Sequence, residues 1–140
     1  MNKLSFILLI CCSAMVFADR PDWYPEDEAA IEAKCREDNS ISDETAKQIW
    51  SNNIEDNHDT RNFFLCLAEK KNIFSTETGF KPDRLLVVLK ERAKLDCKPE
   101  FIEGCAEKGK DVTPDDAKMF TIMKCTVAGA EENCKKVEEN

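Results

Sequence analysis

The sequence predicts an all-α fold, a compact helical domain stapled by disulfides, and three observations carry that expectation. Apolar residues recur at intervals of three and four rather than alternating. Only four glycines and five prolines punctuate the chain, too few for the frequent turns of an all-β domain. Six cysteines, Cys35, Cys66, Cys97, Cys105, Cys125 and Cys134, follow what reads as a secretory leader. In an exported chain of this size an even cysteine count points to a disulfide framework.

The leader is expected over residues 1–18. Lys3 supplies its positive start, and Leu4 to Phe17 is an apolar run too short to span a bilayer comfortably. Val16 and Ala18 are the small residues of a cleavage site, so the mature chain is expected to begin at Asp19 and to lose Cys11 and Cys12. A membrane anchor is the weaker reading of this run, and no second apolar stretch approaches membrane length. Residues 19–140 are one domain's worth of chain. The protein is expected to be secreted and extracellular, with no membrane insertion of the mature chain.

Removing Lys3 with the leader leaves 19 basic against 28 acidic side chains. That sign argues against nucleic acid and anionic membranes as partners, because both require basic patches. A lean core of this size gains from staples, each bridge across some tens of residues contributing about 3–4 kcal/mol.

The elements follow in order. A first helix is expected from about Pro25 to Asn39, with Ile31 and Cys35 one turn apart. Ser42 can cap a second, short helix to Trp50. After a polar stretch, Thr60 to Asn72 sets Phe63, Phe64 and Leu67 on one face of a third. Pro82 suits the first turn of a fourth, striped with Leu85, Leu86, Val88, Leu89 and Ala93, and Pro99 does the same for a fifth. In the sixth, Thr113 reads as the N-cap and Pro114 as the first helical position, with Asp115 and Asp116 in the first turn. Met119, Phe120, Ile122, Met123 and Val127 form its apolar face. The count is six helices, or seven with a short tail helix near Glu131 to Val137.

The stretch from Asn62 through Cys66 to Phe74, followed by Thr78-Gly79-Phe80 and Asp83-Arg84-Leu85, resembles the third helix and following turn of insect odorant-binding proteins, the pheromone and general odorant carriers. The resemblance spans nearly the whole mature chain. It matches Cys35, Cys66, Cys105 and Cys125 to the first, third, fourth and sixth family cysteines. Asn62 and Asp116 stand where the second and fifth belong, as in a subgroup lacking that bridge. The framework this implies is Cys35–Cys66, Cys105–Cys125 and, for the two additional cysteines, Cys97–Cys134. An alignment using Cys125 and Cys134 as fifth and sixth leaves Cys66 without its close neighbour and is set aside.

The resemblance implies a central apolar cavity and a carrier that binds small hydrophobic ligands (odorants, pheromones or lipids) reversibly. Candidate wall residues are Leu86, Leu89, Phe101, Met119, Phe120, Met123 and Val127, together with Phe63, Leu67 and Phe74. Any of these can equally be plain core; Met119 and Met123 stand out because thioether side chains adapt to varied shapes. A membrane receptor, olfactory or other, would be an indirect partner. Two alternatives stand beside this reading. One is a salivary or haemolymph scavenger of biogenic amines or eicosanoids, similar to D7 proteins; the other is a cavity-free secreted interaction module.

No enzyme is expected. His58 beside Asp59 is part of the pattern of secreted phospholipases, but the close cysteines and glycine-rich calcium loop of those sites are missing. No zinc-protease, nucleophile-elbow or phosphate-loop motif occurs. Cys97 and Cys105 are too far apart for a cysteine zinc pair, so neither metal nor cofactor is expected. The charged runs Glu69-Lys70-Lys71 and Lys135 to Glu139 read as solvated helix faces.

Overall fold

A computed structural model describes residues 20–138, so the expected leader lies outside the described residues. Among the described residues there are six helices: α1 Glu28–Asp38, α2 Asp43–Trp50, α3 His58–Lys70, α4 Pro82–Arg92, α5 Pro99–Gly109 and α6 Asp115–Asn133. Two small antiparallel ribbons accompany them. Phe74–Ser75 (β1) pairs with Gly79–Phe80 (β2), and Leu95–Cys97 (β3) pairs with Cys134–Lys136 (β4).

Local chemistry explains where the helices start. Side chains of Asp27, Ser42 and Asn57 accept hydrogen bonds from the backbone N–H groups of Ala30, Thr45 and Thr60, each cap being worth about 1 kcal/mol. Asn57 therefore starts α3 at His58, two residues earlier than the apolar pattern indicates. Pro82 and Pro99 open α4 and α5, where a missing N–H costs nothing. Pro114 is the N-cap of α6 rather than its first helical residue, because its backbone is still extended.

Helix ends explain how so few glycines suffice. Ser40, Asn52, Asn72 and Lys94 adopt left-handed backbone with φ of 56–62° just beyond α1, α2, α3 and α4. The N–H groups of Ile41, Asn53 and Ile73 then reach back to the carbonyls of Arg36, Gln48 and Ala68 at 2.8–2.9 Å, closing the helix ends with Schellman-type turns. Ile41 and Ile73 are buried, as the apolar residue after such a turn tends to be.

The core is a single cluster centred on Phe64, Leu85, Ile102, Met119 and Ile122. α6 runs through it and packs most extensively on α3 and α5. By contrast α2 stands apart, inserting only Ile49 completely. Disulfides join Cys35 on α1 to Cys66 on α3, Cys105 on α5 to Cys125 on α6, and Cys97 on β3 to Cys134 on β4. Their loops of 20–37 residues correspond to about 3–4 kcal/mol each in the chain-entropy account.

The tail corrects one expectation. No separate helix forms near Glu131 to Val137: α6 continues to Asn133, and the chain then extends as β4. Cys134 lies directly opposite Cys97 in the ladder and is bonded to it, while Lys135 faces Asp96. Partner strand and bridge hold these residues extended, which a helix would not allow.

Candidate functional site

A cavity of about 370 Å³ lies between α3, α4 and α6. Each helix offers it one stripe. Phe64, Leu67 and Ala68 come from α3, Leu85, Val88, Leu89 and Arg92 from α4, and Met119, Met123, Thr126, Val127 and Ala130 from α6. Within each stripe positions recur in the i, i+3, i+4, i+7 pattern, the signature of a single helix face. Leu95 of β3 and Ile73, placed by the turn that ends α3, complete the apolar wall. Trp50 of α2, 59% exposed, lines the open side together with the exposed Ala93.

Five expected wall residues meet here: Leu67, Leu89, Met119, Met123 and Val127. The other five lie outside this lining. Phe63 and Leu86 are neighbours of lining residues, and one residue turns a helix by about 100°. Phe74 sits in the β1–β2 hairpin opposite Phe80. Phe120 packs with its ring centre 6.1 Å from that of Phe64 and lies beneath the cations of Arg61 and Lys124. Phe101 presses against Gly129 of α6, where a Cβ would come within 2.5 Å of its ring. α5 supplies no wall residue, being drawn onto the other side of α6 by Cys105–Cys125.

One corner of the cavity is charged, and the sequence reading missed it. Lys71 belongs to a run expected to be solvated, yet its side chain is only 7% exposed. Glu69 and Lys70 remain exposed; the turn after α3 carries Lys71 inward. A buried ammonium requires partners, and α1 provides them. Glu32 Oε1 accepts from Lys71 Nζ at 2.9 Å, and Glu28 Oε1 lies 3.3 Å from the same nitrogen. Arg92 then grips both Glu32 oxygens, Nε to Oε1 at 3.0 Å and Nη2 to Oε2 at 2.9 Å. Burial alone would raise the Glu32 pKa, but the hydrogen bonds and charges of Arg92 and Lys71 outweigh it and hold it down at about 2. Tyr24 donates its hydroxyl to Glu28. Burial, with Glu28 beside it, pushes that phenol well above its ordinary range. The i, i+4 spacing of Glu28 and Glu32 was the available signal, but it does not reveal that they face a buried lysine.

The remaining polar wall group, the Thr126 hydroxyl, is turned back onto the Ile122 carbonyl at 2.9 Å. His58 lies at the start of α3, its side chain 87% exposed and Nδ1 3.5 Å from Asp59, away from the cavity lining. Among the described residues no group of three or more metal-ligating side chains comes together. No helix among them is long and apolar enough to cross a membrane.

A protein-family model described as the PBP/GOBP family matches residues 23–128. No curated protein and no solved structure gives a significant match.

Proposed function

The chain belongs to the PBP/GOBP family, and on that premise we propose that it is a secreted carrier that reversibly buries one small hydrophobic molecule, an odorant, pheromone or lipid, between α3, α4 and α6. No bond of the ligand is made or broken. The single observation that supports this best is the cavity itself, walled by apolar faces of three helices and charged at only one corner. Its 370 Å³ lies within the roughly 300–1,000 Å³ of small-molecule sites. Burial of hydrocarbon there contributes about 25 cal/mol per Å² before the costs of association. The flexible side chains of Met119 and Met123 let the wall adjust to shape. Joint replacement of the second and fifth family cysteines by Asn62 and Asp116 fits the subgroup lacking that bridge.

The test begins with cells expressing the full chain. Oxidised protein should be recovered from the medium with its N-terminus at Asp19. It should bind a fluorescent hydrophobic probe, and fatty acids, volatile alcohols and esters, or biogenic amines should displace that probe at micromolar concentration. Folded protein that never takes up the probe would defeat the carrier reading. Displacement by amines alone would favour the scavenger role.

A further inference from the structure

At the polar corner, charge is balanced while hydrogen-bonding capacity is not. Glu28 and Glu32 face Lys71 and Arg92, two anions against two cations. Lys carries three N–H donors and Arg five. Glu32 Oε1 accepts at one direction of Lys71 Nζ, Glu28 Oε1 stands 3.3 Å from that nitrogen as a buried oxygen without a hydrogen bond, and Glu32 engages Nε and Nη2 of Arg92. Among the described residues, Arg92 Nη1 meets no acceptor, and no third acceptor faces Lys71 Nζ. At this corner the spare buried acceptor is Glu28 Oε1, which does not line the cavity. Glu32 already takes three N–H groups, and the Thr126 hydroxyl is committed to its own helix.

We propose that Lys71 and Arg92 form a specificity-determining subsite for one uncharged oxygen. The ligand is then a short neutral molecule with a carbonyl or hydroxyl at one end and a hydrocarbon chain lying along Met119, Met123 and Val127. This rests on the carrier reading and narrows it. A carboxylate would bring a third anion beside the largely buried Glu32, and the two like charges would repel. An ammonium would add a third cation and find Glu32 already engaged. A neutral oxygen accepts the unused donors and leaves the charge balance intact. The cavity's modest volume, near the lower end for small-molecule sites, keeps the chain short.

The experiment uses the secreted full-length product, loaded with N-phenyl-1-naphthylamine and titrated at neutral pH with five ten-carbon compounds: decane, decan-2-one, decan-1-ol, decanoate and decylamine. An apolar wall alone would rank decane first, because a buried oxygen loses its hydrogen bonds to water. The subsite instead predicts that the ketone and alcohol displace the probe at about tenfold lower concentration than the other three. Lys71→Met should erase that advantage, read as the ratio of ketone to decane displacement within the variant. Since this change strands two carboxylates, Arg92→Leu at a half-exposed position serves as the second variant, with the same expected loss. Decane or a charged compound ranking first would overturn the proposal, as would an undiminished ketone advantage in either folded variant. Failure of the probe and of decane to bind folded protein would overturn the carrier reading and the subsite together.

Discussion

Replacing Glu32 by Gln tests the energetics of the charged corner most directly. In the wild type, Glu32 titrates at about 2 because Arg92 and Lys71 hold its charged form against the cost of burial. An unfolded Glu titrates near 4.3, so folding favours the ionised group. That stability is fully present above about pH 4.5 and is lost as pH falls toward 2. At 1.36 kcal/mol per pH unit, the difference is about 3 kcal/mol; partial exposure of the pair with Arg92 reduces the expectation to about 2 kcal/mol. Glu32→Gln should therefore destabilise the protein by about 2 kcal/mol at pH 7, or roughly 5–10 °C in Tm for a domain of this size. The deficit should narrow steadily below pH 4.5, fall to about a quarter of its neutral value by about pH 2.5, and vanish only below about pH 1. Urea unfolding followed by circular dichroism, with both proteins at several pH values, reads this directly. A deficit under about 0.5 kcal/mol at neutral pH would refute the reasoning. So would one that stays constant down to pH 2.5, since loss of the amino acid's packing rather than its charge would then be responsible.

Three further outcomes are expected. Met123→Trp should fill the cavity and weaken probe binding at least tenfold, measured by fluorescence titration, while leaving the unfolding midpoint within a few degrees of wild type. Gly104 and Gly109 of α5 should respond in opposite directions to alanine. A Cβ at Gly104 meets nothing within 4 Å, so Gly104→Ala should stabilise by about 0.5–1 kcal/mol. At Gly109 it would stand 2.6 Å from the buried Ile122, so Gly109→Ala should cost about 1–3 kcal/mol in the same urea assay. Replacing Cys97 and Cys134 together by Ser should lower stability by up to about 4 kcal/mol. It should also speed amide exchange in β3, whose Leu95 lines the cavity, read by mass spectrometry.

The helices themselves were legible in the sequence because the forces that set them are local. A cap such as Ser42, a first-turn proline such as Pro82, and apolar residues three and four apart act within one or two turns of chain. These marks gave six helices with boundaries wrong by only a few residues. The resemblance carried by Asn62 to Leu85 gave the family in the same way, through residues close together in the chain. Five of the ten candidate wall residues fall on the cavity lining, whereas Phe63 lies off it beside Phe64 and Leu86 off it beside Leu85. Each of these adjacent pairs is apolar throughout, and sequence cannot say which member faces a void and which faces another helix.

The tertiary structure alone decided the rest, wherever residues distant in the chain had to meet. Strand β4 exists because Cys134 lies opposite Cys97, with a partner ladder that no local pattern announces. Lys71 looks like an exposed charge in a charged run, and becomes a buried one only because Glu28 and Glu32 of α1 stand where the turn after α3 delivers it. Charge is inexpensive in water and costly in a protein interior. Its placement is therefore settled by the partners that folding brings within reach, and those partners are fixed by packing rather than by neighbouring sequence.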